Sequence, residues 1–357
     1  MDYLNKERIY LPGIYILSFI MAFLISFLTT PLAKKIAIKV GAIDQPKDRG
    51  VHTKPIPRMG GIAIVLGFMV TLLIVTPFMP LLNWKQFLGV SAGAIIIFIL
   101  GFFDDIHDLS AKFKLIFQIL AALLVTSSGI KIHFVSWPFF ENSLVPLQAF
   151  ATPLTVIWIV GVTNAVNLID GLDGLAAGVS SIASICLMAL SIHSGHPLAL
   201  VLTATLAGSC LGFLPYNFNP ATIFMGDTGS TFLGFILAVT SILGLLKSYT
   251  FATIFLAVLV LGLPIFDTAF AILRRFFNGK PIMEADRGHL HHRLMDKGYS
   301  QKQAVVTLYG ISGGFGLTAL AFSTQDLRFI LGIFVIMALL FYMNVIHFNN
   351  DPTDLKK

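Results

Sequence analysis

Eleven apolar runs, each long enough to cross a bilayer, dominate the sequence: roughly 12–30, 60–78, 87–103, 113–129, 151–167, 174–192, 197–214, 229–246, 250–273, 304–323 and 327–347. A crossing helix needs about 20 apolar residues for a hydrocarbon core of about 30 Å. Eleven such runs in 357 residues leave little chain for anything but the connections between them. The composition agrees, with 56% hydrophobic residues, 12% charged residues and 32 phenylalanines, which excludes an ordinary soluble domain. The expected fold is an all-α polytopic integral membrane protein with about eleven transmembrane helices, forming a single domain over residues 1–357. The first run follows Lys6 and Arg8, as a signal peptide would. It is long, however, lacks a small-residue cleavage site and ends at Pro31 ahead of Lys34 and Lys35, so it reads as a retained anchor.

Basic residues set the orientation, because loops kept in the cytoplasm carry the excess of Lys and Arg. With the N-terminus outside, segments 31–58, 104–114 and 274–303 and the C-terminal tail hold 18 of the 24 Lys and Arg. The opposite side holds Lys6, Arg8, Lys85, Lys131, Lys247 and Arg328. Eleven spans then place the C-terminus in the cytoplasm, and the formal charge of +6 reads first as a topology signal. No nucleic-acid motif is present. Cys186 and Cys210 lie inside apolar runs and suggest neither a disulfide framework nor a cysteine metal site.

The polar clusters fall between these runs. Tyr216–Ser230 interrupts two apolar stretches with two amides, Asp227 and the glycines 226 and 229. Asp227 stands where a hydrophobic helix is about to begin, so it is either a cap or a ligand for a hard cation. Residues 44–61 are proline-punctuated and basic, ending in Gly60-Gly61 at the start of the second span, with Lys54 and Arg58 available to a phosphate.

Asp104, Asp105 and Asp108 crowd the end of the third span, where a helix terminus already carries negative partial charge. Lys112 and Lys114 offset that charge only in part. Metal binding or proton transfer is one reading of the three acids, and a solvated acidic turn is the other. In the fifth span Asn164, Asn167, Asp170 and Asp173 recur every three residues, which predicts a polar wall, with Gly171 and Gly174 loosening the helix. Asp267 lies inside the ninth run, with Arg274 two turns on as a candidate ion-pair partner. The loop 274–303 carries His289, His291, His292 and Arg293. A zinc site would need further ligands there, and a basic lid facing phosphate fits better.

All five clusters fall at the cytoplasmic ends of spans: loops 31–60, 104–114, 164–175, 215–230 and 274–303. Acids for a divalent cation beside amides and cations for phosphates are the equipment of metal-assisted phosphoryl transfer. A secondary transporter also uses broken helices and intramembrane carboxylates, but its site belongs near the midplane, commonly between inverted repeats.

These motifs resemble, over roughly residues 30–300, those of the polyprenyl-phosphate N-acetylhexosamine-1-phosphate transferases. The resemblance rests on Asp44…Arg58-Met59-Gly60-Gly61, Asp104-Asp105…Asp108, Asn167–Gly174, Phe224–Ser230 and His289-Leu290-His291-His292. The last has the form found in bacterial GlcNAc-1-phosphate transferases that start teichoic-acid or O-antigen linkage, and differs from the Pro-x-His-His-His of the related phospho-MurNAc-pentapeptide translocase. The resemblance implies transfer of GlcNAc-1-phosphate from UDP-GlcNAc to undecaprenyl phosphate, at the cell membrane, with the active site facing the cytoplasm. UDP-GalNAc and UDP-MurNAc-pentapeptide remain alternative donors.

By the same resemblance Mg²⁺, or Mn²⁺ in its place, would be bound by Asp227 with Asp104, and Asp104 and Asp105 would serve metal binding or acceptor deprotonation. Asn167, Asp170 and Asp173 would form the nucleotide wall, with Asn217 beside the metal. Lys54, Arg58, His289, His291, His292 and Arg293 would contact the substrates. A homodimer is compatible with this picture.

Overall fold

The computed structural model describes residues 2–46, 54–136, 144–245, 253–279 and 288–324. Ten of the eleven expected runs are helical: α1 (Asp2–Val40), α2 (Gly61–Val75), α3 (Trp84–His107), α4 (Ala111–Ser127), α5 (Ala151–Leu168), α6 (Leu175–Ser194), α7 (Pro197–Asn217), α8 (Gly226–Leu245), the pair α9 (Thr253–Val260) and α10 (Gly262–Phe277), and, beyond the short α11 (Leu290–Asp296), α12 (Gln301–Thr324). The eleventh run, 327–347, lies outside the described residues, as do 47–53 and 280–287 in the two basic loops. Among the described residues eight helices are long and apolar enough to cross a membrane, or nine if α9 and α10 form one broken span. At 17 residues α4 is slightly shorter than these. The chain is a multi-pass α-helical membrane protein.

Two elements differ from expectation. The first helix does not stop at Pro31 but continues to Val40, because its far end is packed: Ala33 and Ala37 are buried in the core. A proline costs a helix one hydrogen bond, which this packing offsets. The run 250–273 is bent by 89° between α9 and α10. Gly262 and Pro264 start the second helix, where a proline needs no intrahelical donor.

Packing places α7 and α8 at the centre. Their spans are 83% and 89% buried, against 28% for α1. Small residues let α1 lie close to α7: a Cβ on Gly208 or Gly212 would stand 2.2 or 2.3 Å from the carbonyl oxygens of Phe19 or Phe23. The outer face of α1 presents Ile16, Ile20, Leu24, Leu28 and Leu32, a lipid-facing stripe at helical spacing. Two short antiparallel ladders complete the described structure. β1 (Ile43–Asp44) pairs with β2 (Ile56–Pro57), and β3 (Phe134–Ser136) with β4 (Leu144–Pro146).

Candidate active site

The ends of α3, α5 and α7 and the starts of α6, α8 and α12 meet at one end of the bundle around a cavity of about 380 Å³, within the usual range for small-molecule sites. Its lining includes Asp44, Arg58, Asp104, Asp105, Asp108, Asn167, Asp170, Asp173, Asn217, Asp227, His292 and Gln301. Residues from all five sequence clusters are therefore brought together. Lys54, His289, His291 and Arg293 are not among the lining residues.

The head of α8 is built first. Gly226 has φ +72°, a conformation glycine adopts without strain, and a Cβ there would lie 2.5 Å from an Asp105 oxygen. That close approach lets Asp105 cap α8 from another helix: it accepts from the backbone N–H of Asp227 at 2.9 Å and of Thr228 at 3.0 Å, and from the Thr228 hydroxyl. Asp105 is 3% exposed. Its carboxylate holds the α8 terminus while still lining the cavity. The Arg58–Gly61 strand latches the same terminus, with Gly60 and Gly61 donating backbone N–H groups to Phe224 and Met225 carbonyls at 2.8 Å. Gly61 meets Gly229 so closely that a Cβ on it would be 2.1 Å from the Gly229 nitrogen.

Asp227 stands on this platform. Asn167 Nδ2 donates to Asp227 Oδ1 at 2.7 Å and to Ser230 Oγ at 2.8 Å. Lys114 Nζ donates to Asp227 Oδ2 at 3.2 Å and to Asp104 Oδ2 at 2.7 Å, while Asp104 Oδ1 accepts from Leu109 N at 2.7 Å. One ammonium thus bridges two carboxylates from different helices. The sequence reading treated Lys114 only as partial counter-charge to the acidic turn, and nothing local could show that its side chain reaches Asp227, 113 residues away.

The polar row on α5 does not form one wall. Asn164 turns away from the cavity to pair with Gln118 on α4. A step of three residues rotates a helical position by about 300°, so the row drifts about 60° each time. The helix ends at Leu168, and Asp170 and Asp173 reach the cavity from the connection that follows. Asp173 Oδ2 accepts from Asn219 Nδ2 and Ala221 N, each at 3.0 Å, and Asn219 also donates to Gln301 Oε1 at 2.8 Å. Gln301 was not singled out from the sequence, since a lone glutamine at a helix start carries no local signal. Asn217 is 2% exposed and joins Gly174 N to the Ile223 carbonyl, so it supports the cavity wall. Asp170 makes no side-chain hydrogen bond among the described residues. Burial, then the charges of Asp227, Asp105 and Asp173, push its pKa up to about 8.

Two residues expected at the phosphates make contacts within the protein. Arg58 donates to the Asp105 carbonyl at 3.1 Å and pairs with Asp108 at 2.9 Å, bracing the acidic turn while still lining the cavity. His289 is buried, with Nδ1 2.8 Å from Asp267 Oδ2, and the other oxygen of Asp267 accepts from Leu290 N at 2.8 Å. Asp267 thus anchors α11 to α10, a structural role of the kind the sequence left open beside a site role. His291 stacks on His289, 6° from parallel, and burial followed by the neighbouring His292 lowers its pKa to about 4. A neutral, buried imidazole is not a phosphate-binding cation. Of the three histidines, only His292 lines the cavity.

Among the described residues seven carboxylates line this cavity against one arginine and one histidine, with the Lys114 ammonium on two of them. A cation bound there would offset the repulsion between ionised carboxylates and an anionic substrate. Asp227, Asp104 and the Asn167 carbonyl offer oxygen donors only, which suits Mg²⁺ or Mn²⁺ rather than zinc. No cluster of three or more His, Cys, Asp or Glu with metal-binding geometry occurs among the described residues. Mg²⁺ characteristically takes one or two carboxylates and completes its shell with substrate phosphates and water, so the donor set fits.

The family model for glycosyl transferase family 4 matches residues 87–245. The chain is 44% identical to the probable undecaprenyl-phosphate N-acetylglucosaminyl 1-phosphate transferase of Bacillus subtilis, over 93% of this chain and 90% of the relative. It is 32% identical to the decaprenyl-phosphate N-acetylglucosaminephosphotransferase of Mycolicibacterium smegmatis, over 85% and 82%. It is also 32% identical to the phospho-N-acetylmuramoyl-pentapeptide-transferase of Rickettsia massiliae, over 74% and 79%.

Proposed function

Because the chain belongs to glycosyl transferase family 4 and is a phosphoglycosyl transferase, we propose that it transfers GlcNAc-1-phosphate from UDP-GlcNAc to undecaprenyl phosphate. The products are undecaprenyl-diphospho-GlcNAc and UMP, and the step opens teichoic-acid or related cell-surface glycan synthesis. The observation that carries this reading is Asp227 at the head of α8, held by Asn167 and joined through Lys114 to Asp104.

A phosphate oxygen of the lipid attacks the sugar-bearing phosphorus of the donor, the bond between the two donor phosphates breaks, and the electron pair leaves on UMP. Asp227, with Asp104 and the Asn167 carbonyl, would hold Mg²⁺. When bound, that ion supplies charge neutralisation to the diphosphate and its leaving group. Lys114 holds the two carboxylates in register and offers positive charge beside the reacting phosphates. Asp173, braced by Asn219 and Ala221, and Asp170 form the wall on which the nucleotide would be oriented. Burial and the neighbouring carboxylates raise the Asp170 pKa to about 8, which favours the protonated form, able to donate a hydrogen bond where an ionised acid could only accept one. The excess of Lys and Arg in the loops at this end of the bundle supports a cytoplasmic facing, where the soluble donor is found.

Position-specific label tests the bond order. With ³²P in the sugar-bearing phosphate of UDP-GlcNAc, radioactivity should pass to the lipid product. With ³²P in the uridine-bearing phosphate it should leave as UMP. Release of both phosphates together as UDP would contradict the reading.

A further inference from the structure

Amides buried inside a membrane bundle are costly unless each finds a partner. Gln118 on α4 and Asn164 on α5 find one another. Asn164 Nδ2 donates to Gln118 Oε1 at 2.7 Å, and Gln118 Nε2 donates back to Asn164 Oδ1 at 3.3 Å. Asn164 also donates to the Val160 carbonyl of its own helix at 2.8 Å, which fixes its orientation. Gln118 is 2% exposed, and the helix faces around the pair carry buried Ala121, Ala122 and Ala165. Apolar side chains of similar size would pack here without desolvating two amides. Packing alone therefore does not account for the pair.

Register does. Gln118 stands one turn after Lys114 on α4, and Asn164 one turn before Asn167 on α5. Those two neighbours reach opposite oxygens of one carboxylate: Lys114 is 3.2 Å from Asp227 Oδ2, and Asn167 is 2.7 Å from Asp227 Oδ1. Sliding either helix by one turn, about 5.4 Å, would break the reciprocal amide bonds and withdraw Lys114 or Asn167 from Asp227. The geometry points to Gln118 and Asn164 as positioning residues, which set the height of α4 against α5 so that an ammonium and an amide converge on Asp227. This rests on the reading of Asp227 as the reaction centre. Neither amide bonds to a carboxylate, so neither is a catalytic residue.

The test uses the full-length protein and whichever UDP-sugar the parent accepts. In the double variant Gln118→Leu/Asn164→Leu the thermal midpoint should hold or rise. Its kcat should fall about 10- to 100-fold, the scale of sub-ångström to ångström misplacement of reacting groups, and the donor KM should stay within about twofold. The exchanged pair Gln118→Asn/Asn164→Gln keeps the two amides and the combined side-chain length, and should recover most of the kcat that Gln118→Asn alone loses.

Parental kcat in the Leu/Leu variant overturns the inference. If that variant does not fold, an exchanged pair no more active than the Gln118→Asn single variant overturns it as well. The parent assayed alongside separates the two levels. A parent inert toward every UDP-sugar contradicts the site reading, whereas an active parent matched by an equally active Leu/Leu variant contradicts the positioning role alone.

Discussion

Asn167 Nδ2 donates to Asp227 Oδ1 across 2.7 Å, joining the end of α5 to the head of α8 over 60 residues of sequence. With Lys114 on the second oxygen, both lone-pair faces of Asp227 are directed before any ligand arrives. Asp227→Asn should leave the protein folded and inserted while lowering turnover by about 10²-fold or more, the scale of losing one electrostatic stabiliser. A neutral amide is a poor ligand for a hard cation, so the Mg²⁺ needed for half-maximal rate should rise. Wild-type turnover in this variant would remove Asp227 from the centre of the site.

Asp105, whose carboxylate accepts from the Asp227 backbone N–H, should behave differently. It accepts two backbone N–H groups and a hydroxyl at the α8 terminus. Asp105→Ala leaves those donors buried and unmatched, at a cost on the order of 3 kcal/mol. The expected signature is a large fall in thermal midpoint together with lost activity. An Asp105→Ala protein as stable as the parent but inactive would return Asp105 to a chemical role.

Asp104 and Asp105 show how far the site is legible in the sequence. Their presence at a helix end leaves a functional turn and a solvated one both open. Adjacent residues point about 100° apart on a helix, and only the packing of α3 on α8 decides that Asp105 meets the α8 backbone while Asp104 meets Lys114. Ten of the apolar runs coincide with helices, one of them with the pair α9 and α10, because length and hydropathy act locally. The run 250–273 reads as one span, and its 89° bend between α9 and α10 is a property of the fold that the apolar pattern does not carry. The convergence of Lys114, Asn167 and Asp227 is a property of three helices together, which no periodicity within one helix reveals.

The histidine segment should respond to pH through stability. His291 is held neutral, with its pKa lowered to about 4 from an ordinary value near 6.5. Between those values the unfolded chain binds a proton that the folded chain does not. The stability associated with neutral His291 is complete above about pH 6.5 and is lost progressively as pH falls toward 4. His291→Gln should flatten that part of a profile of thermal midpoint against pH, and an unchanged profile would show that His291 does not titrate as a buried neutral group.

Asp267 should matter through α11. Asp267→Ala removes both bonds that tie His289 and Leu290 to α10, so protease sensitivity should rise in 288–297 and turnover should fall as His292 loses its place on the cavity wall. Protection and turnover equal to the parent would show that α11 is held by other contacts.

Orientation is testable with labels at Ser143 and Lys357. Cysteine labelling should find Ser143 outside and Lys357 in the cytoplasm. Both positions on one side would overturn the charge-based topology.

The most direct measurement of the central claim is a donor comparison on purified protein with undecaprenyl phosphate and Mg²⁺. UDP-GlcNAc should give UMP and undecaprenyl-diphospho-GlcNAc in equal amounts, while UDP-MurNAc-pentapeptide should give neither UMP nor a lipid product. Turnover of the pentapeptide donor with UDP-GlcNAc left unchanged would contradict the account.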